Sequence, residues 1–322
     1  MKLPFARQHV PVLATAGVWL ALYAAAGVAF RDRHFLSFNV LDNLFSENAF
    51  LGLAALGETF VILSGGIDLS VGAMIGCSSV IIAMLIAAGF HPLAAAACVL
   101  AGGAAVGTGM GALIHRFRLP PFLVTLAGMF LLRGTGLVLS SASLAITHPL
   151  YFTISDWRPA GLSALTVILL AAFALGIALA HLTRFGRNIY ALGGSESAAL
   201  LMGLPVARTR IGVYALSGLC SAAAGVVYTL YTFSGHAKAG EMLELDAIAT
   251  VVIGGTLLAG GVGYVFGTLI GVLIFGTIQT AIMFHGDLNS WWTRIAVGTL
   301  LLAFILLQKL VQGRAGRAGG PP

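Results

Sequence analysis

The chain has 322 residues, of which 59% are hydrophobic and only 9% charged. Soluble domains carry about 25% charged residues, so this composition, with a mean hydropathy of +0.99, excludes a soluble globular protein and makes lipid the main solvent. The net charge of +6 would suggest nucleic acid as a partner for a soluble chain. Here the basic residues read as topology signals, because cytoplasmic loops collect Lys and Arg, and no nucleic-acid partner is expected.

A helical span needs about 20 apolar residues. The first candidate runs from Pro11 to Phe30 and the second from Leu44 to Leu63. No secretory cleavage site follows the first, which reads as a retained span. The third covers Ile67 to Gly89, the fourth Pro92 to Ile114 and the fifth Pro121 to Leu139. The polar stretch SSASLAITHPLYFTISDWRPA then reads as an external loop or a short surface helix. The sixth span is Leu162 to His181, and the longest polar connection, Thr183 to Arg210, follows it. The seventh is Ile211 to Phe233, the eighth, a short one, Leu245 to Leu258, the ninth Val265 to Phe284 and the tenth Trp292 to Leu307. The expectation is an all-α integral membrane protein of about ten transmembrane helices, with one transmembrane domain over residues 1–310 and a disordered cytoplasmic tail over residues 311–322.

Charge sets the orientation. With the N-terminus inside, the cytoplasmic set is Lys2, Arg7, Arg116, Arg118, Arg184, Arg187, Arg208, Arg210, Lys309, Arg314 and Arg317. The external set is Arg31, Arg33, Arg158 and Lys238. An even number of spans returns the C-terminus to the cytoplasm.

Several chemistries lack their residues. A P-loop needs Lys followed by Ser or Thr, and the three lysines Lys2, Lys238 and Lys309 precede Leu3, Ala239 and Leu310. No HExxH, GxSxG or paired-histidine spacing occurs, so no catalytic or metal site and no bound cofactor is expected. Cys77, Cys98 and Cys220 sit in apolar runs and read as small buried hydrophobes.

Polar residues are informative where they interrupt the hydrocarbon. The motif SGGIDLSVG places Ser64, Gly65, Gly66, Asp68 and Ser70 at the join of the second and third spans. An intramembrane carboxylate is costly unless paired or wet. One reading is a broken helix whose backbone and Asp68 line a polar path. The other is a capped turn with Asp68 as N-cap of the third span. A faint echo, VVIGGTLLAGGVG, closes the eighth span.

In the Thr183–Arg210 connection, Gly193 and Gly194 precede Ser195, a suitable N-cap, and Glu196 lies where a helix dipole favours it. Gly203 is a stop signal, with Pro205 beyond. A short cytoplasmic surface helix results. Its Ala198, Leu201 and Met202 would dock on a partner, or the whole would be a plain connector.

Glu241, Glu244 and Asp246 lie at the outer end of the eighth span, placed either to meet a docking protein or to mark the membrane boundary. Glu58, Arg133, Gln279 and Arg294 lie within or at the ends of spans, as functional groups or as structural pairs such as Glu58 with Arg133. Trp291 and Trp292 read as an interfacial belt or as rings on which a ligand stacks.

Three stretches together, SGGIDLSVG, RFGRNIYALGGSESAALLMGL and ELDAIATVVIGGTLLAGGVG, resemble the permeases of bacterial sugar ABC importers of the ribose, arabinose and xylose type. The likeness covers the chain from the second span onward. The details LAGMFLLRG, ITHPLY, LDAIATVVIGGTLL and SWWTRIAVG look most like permeases of galactofuranose importers. The resemblance implies a permease of the bacterial inner membrane that imports a monosaccharide by alternating access. It implies that Ser195, Glu196, Ala198, Leu201, Met202 and Gly203 form the coupling helix for a cytoplasmic ATPase, which uses ATP and magnesium. It also implies a periplasmic sugar-binding protein and a second permease, more in keeping with a heterodimer than a homodimer. Glu58, Ser64, Gly65, Gly66, Asp68, Ser70 and Arg133 are the gate and pathway candidates, and Glu241, Glu244 and Asp246 those for binding-protein docking. A stand-alone ion-coupled transporter, using Glu58 and Asp68, is the alternative. An integral-membrane enzyme is disfavoured by the lack of clustered catalytic groups.

Overall fold

The computed structural model describes residues 10–286, 288–289 and 291–317. Helix α1 (Val10–Ala29) leads through a short 3-10 turn to α2 (Phe38–Glu47), which bends by 54° at Asn48 into α3 (Ala49–Leu63). Next come α4 (Val71–Ala87), α5 (Pro92–Phe117), α6 (Pro121–Leu139) and the short α7 (Pro149–Asp156). After α8 (Ala164–Leu182) the chain forms α9 (Arg184–Gly194), α10 (Glu196–Leu201) and the long α11 (Val206–Thr232). Helices α12 (Leu243–Ile253), α13 (Val265–His285) and α14 (Trp291–Arg317) complete the bundle. A two-residue antiparallel ladder pairs Leu144 with Gly235 and Ala145 with Ser234.

Each predicted span coincides with a helix, but not every helix has the length of a span. Among the described residues six are long and apolar enough to cross a membrane, or up to seven if the bent α2–α3 pair is one span. Helix α4 and the apolar Trp291–Leu306 part of α14 are shorter. The eighth predicted segment ends early, because α12 stops at Ile253 and a glycine-rich turn replaces its continuation to Leu258. At the C-terminus α14 runs to Arg317, through the first part of the tail expected to lack structure. Residues 318–322 of that tail, and Lys2 and Arg7 of the cytoplasmic charge set, lie outside the described residues.

Local chemistry sets many boundaries. Ser37 and Ser163 cap α2 and α8 by accepting from Val40 N and Thr166 N, both at 3.3 Å. Proline opens α5, α6 and α7 at a position whose N–H has no intrahelical partner. Within the apolar helices hydroxyls turn back on their own backbone, as Thr59 Oγ1 does to the Ala55 carbonyl at 2.6 Å.

Helix α3 is apolar apart from Glu58 and Thr59 and is buried almost throughout, as expected of a central helix. Helix α11 packs against α3, α4 and α5. The α5–α11 crossing is set by Gly103, Gly107 and Gly111, spaced four apart. A side chain at Gly107 would strike the Tyr214 carbonyl, and one at Gly103 the Gly218 carbonyl. Small residues at this spacing let apolar helices approach to backbone contact, which replaces the hydrophobic effect as the packing force in lipid.

Asp42 braces α2 to α8. Its carboxylate accepts from Thr166 Oγ1 at 2.6 Å and from Ser163 N at 3.1 Å, with Arg158 at 3.8 Å. Of the cysteines, Cys77 is buried and Cys220 intermediate, while Cys98 is exposed on the outside of the bundle. The expectation of three buried thiols is corrected for Cys98: an apolar run in lipid points some of its small residues outward.

Candidate functional site

The turn between α3 and α4 is built from the residues that break the hydrocarbon. Ser64 Oγ donates to the Val61 carbonyl at 2.7 Å and closes the last turn of α3. Gly65 then takes φ +82°, a conformation that carries a steric cost for residues with a Cβ. Gly66 lies under the Tyr214 hydroxyl of α11, with no room for a side chain.

Asp68 is 1% exposed. It accepts from Ser70 N at 2.9 Å, Ser70 Oγ at 2.6 Å and, across to α11, Ser217 Oγ at 2.7 Å. Glu58 of α3 is 0% exposed and accepts from Asp68 N at 3.2 Å. The N-cap position of α4 is Ser70, not Asp68, so the simple capped-turn reading gives way to a buried polar clasp between the turn and α11. One Asp68 oxygen serves the turn and the other serves α11.

The expected surface helix is present as α10. Ser195 caps it by accepting from Ala198 N at 3.3 Å, and Gly203 ends it at φ +72°. Leu201 and Met202 are 90% and 65% exposed, and Ala198 is exposed beside them. Glu196 accepts from Arg210 Nη2 at 2.7 Å. That bond, with the nearby positive charge, holds its carboxyl below the usual range. The connection also contains α9, which the sequence reading treated as loop. Thr183 caps α9 by accepting from Gly186 N at 3.1 Å.

Three glycine-rich stretches meet at the base of α10. Gly261 N donates to the Leu63 carbonyl at 2.9 Å, joining the end of α3 to the turn after α12. Gly193 packs against both of those groups, and Gly260, at φ +87°, packs on Gly65. Tyr190 of α9 donates to the Gly263 carbonyl at 2.9 Å. The two stretches that echo one another in sequence are therefore neighbours in space, with the residues preceding α10 wedged against them. A cavity of about 670 Å³ opens between this turn and α10, lined by Gly65, His115, Arg118, Glu196, Ser197 and Arg210 among others.

Arg133 does not join this cluster. It lies 3.7 Å from Glu241 and 3.7 Å from Glu244. The suggested Glu58–Arg133 pair is absent, and Arg133 belongs with the acidic group at the start of α12. Asp246 is on the same helix but lines a different cavity, with Gln279 and Arg294.

A family model described as the permease component of branched-chain amino acid transport systems matches residues 40–305. The chain belongs to this permease family. The chain is 49% identical over 309 residues to the inner membrane ABC transporter permease protein YjfF of Escherichia coli K12, covering 94% of this chain and 93% of that one. It is 40% identical to the ribose import permease RbsC of Bacillus subtilis 168, covering 84% of each chain. It is 35% identical to the fructose import permease FruG of Bifidobacterium longum NCC 2705, covering 96% and 94%. No solved structure matches the chain. The resemblance to sugar ABC permeases is upheld, and the chain is a multi-pass inner-membrane protein.

Proposed function

We propose that this chain is the membrane-spanning permease subunit of an ATP-driven importer of a monosaccharide, with galactofuranose the favoured sugar. It works by alternating access and changes no bond in the sugar. All ten apolar segments contribute to the membrane domain, with both termini cytoplasmic. A cytoplasmic ATPase, the user of ATP and magnesium, docks on Ala198, Leu201 and Met202 of α10. A periplasmic binding protein delivers the sugar at the end of the bundle that carries Glu241 and Glu244. A second, different permease completes the path.

The observation that carries this reading is the junction at Gly193. A push on α10 has no soft loop to dissipate in: its N-terminal neighbour is packed backbone to backbone on the Leu63 carbonyl and Gly261. Those groups terminate α3 and begin the turn toward α13. Asp68, in the turn that follows Leu63, links the end of α3 to α11 through Ser217. Movement of the ATPase is thereby delivered to three core helices. The relatives' roles as ribose and fructose import permeases favour this reading over a stand-alone ion-coupled carrier.

The test is purification of the C-terminally tagged chain in mild detergent, with mass spectrometry of its companions. An ATPase with a P-loop and a second permease sequence are expected. An ATPase alone points to a homodimer. A solitary chain that moves sugar under a proton gradient overturns the proposal.

A further inference from the structure

Away from the coupling junction, α12, α13 and α14 enclose a cavity of about 370 Å³. That size falls within the roughly 300–1,000 Å³ of small-molecule sites. Asp246 enters from α12, Gln279 from α13, and Trp291, Thr293 and Arg294 from the first turns of α14. A second cavity of about 260 Å³ shares Asp246, Phe275, Gln279 and Met283 with the first and adds Glu47, Asn48 and Tyr231. The two cavities adjoin along α13 through these shared residues.

The chemistry of the recess is specific. Asp246 offers only acceptors, Arg294 only donors, and Gln279 and Thr293 offer both. Among the described residues neither Asp246 nor Arg294 is in an ion pair, although both line the same cavity. Asp246 and Arg294 offset one another across the first cavity, and Glu47 adds a further acceptor in the second, so the lining suits a ligand rich in hydroxyl groups. Each ligand hydroxyl both donates and accepts, so a polyol satisfies such a mixed set. Trp291 is 66% exposed, and the Arg294 guanidinium carbon lies 5.8 Å from its ring centroid. Arg294 lies over one face of this exposed indole, which leaves the opposite face for the apolar C–H surface of a sugar ring.

We propose that this recess is a saccharide-binding subsite of the permease itself, with Asp246, Gln279 and Arg294 holding hydroxyls and Trp291 stacking on the ring. The inference rests on the sugar-importer reading and deepens it. Asp246 thereby takes a role apart from docking, while Glu241 and Glu244 lie beside Arg133 and Glu244 stays within electrostatic reach of Asp246 and Arg294. Trp291 is likewise separated from Trp292, which is exposed but does not line the recess.

The test uses the assembled importer in lipid nanodiscs, without binding protein, titrated with D-galactose and D-ribose while tryptophan fluorescence is recorded. Saturable quenching is expected for at least one of the sugars in the wild type and in Trp292→Leu, and its loss in Trp291→Leu. Asp246→Asn and Gln279→Leu weaken binding about tenfold each, as expected for the loss of roughly one hydrogen bond from the site. Loss of the signal in both tryptophan variants identifies a membrane belt and overturns the proposal. So does the absence of saturable binding in the wild type, or equal quenching by L-leucine, whose zwitterion would match Asp246 and Arg294 instead. ATP-driven uptake by the wild type with its binding protein is measured in parallel. Uptake without a subsite refutes this inference alone, and a subsite without ATP-driven uptake refutes the importer reading alone.

Discussion

Leu201→Asp and Met202→Asp separate coupling from folding. Both side chains project from the tip of α10, 90% and 65% exposed in the isolated chain. Exposed substitutions of this kind shift stability by about 0.5 kcal/mol or less, so thermal unfolding in detergent should be unchanged. If an ATPase covers the tip, each apolar side chain contributes about 1.5–3 kcal/mol to docking when fully buried. The introduced carboxylate adds a burial penalty of several kcal/mol when it finds no partner. At 1.4 kcal/mol per factor of ten, a combined loss of at least about 3 kcal/mol weakens ATPase association more than a hundredfold. Ala198→Asp acts in the same direction. The assay is ATPase co-purification and ATP-driven sugar uptake, each normalised to inserted permease. Wild-type association and uptake in the Asp variants would refute the docking role of α10. A large fall in unfolding temperature would show that these side chains are packed rather than presented.

Other expectations test the junction and the clasp. Gly193→Val forces a side chain onto the Leu63 carbonyl and Gly261, and overpacking of this kind costs about 1–3 kcal/mol; unfolding temperature and transport should fall together, whereas Gly194→Ala, where a Cβ meets nothing within 4 Å, should be tolerated. Asp68→Ala leaves Ser70 N–H and the Ser217 hydroxyl without their acceptor, at about 1–3 kcal/mol for each buried group that stays unsatisfied; it should lower thermal stability more than Ser217→Ala does. The Glu196 carboxyl is held low by Arg210, so its small contribution is present above the ordinary carboxylate range and is lost as pH falls through the lowered value. Arg210→Gln should abolish that low-pH dependence, measured as the loss of α10 protection from proteolysis.

What the sequence made legible was local. Ser195, Glu196 and Gly203 specify a start, a charged first turn and a stop within nine residues, and α10 forms where they place it. Apolar length located ten segments that each coincide with a helix, though only six or seven of these helices, among the described residues, have the length and apolarity of a span. The early end of α12 was hidden, since Gly254 and Gly255 also read as small residues inside a span. It is the close approach of Gly254 to Gly267 that uses them. Helix α9 was missed because its amphipathic RFGRNIYALGG carries basic ends that look like loop. Partners were the least legible feature. Arg133 meets Glu241 and Glu244, more than a hundred positions away, and Asp68 meets Ser217 of α11 across 149 positions. The approach that brings Ser217 to the α3 end of the turn is the packing of Gly57 on Ser217, and such pairings follow from three-dimensional packing, to which a single sequence gives no direct pointer.

Central to the proposed function is sugar transport through this chain driven by ATP that a partner hydrolyses. The most direct measurement is sugar uptake into proteoliposomes holding the chain with its co-purified partners, with the binding protein supplied. The account predicts uptake that requires ATP on the α10 side, fails when the ATPase is omitted, and ignores imposed proton and sodium gradients. Gradient-driven uptake by the chain alone would contradict it.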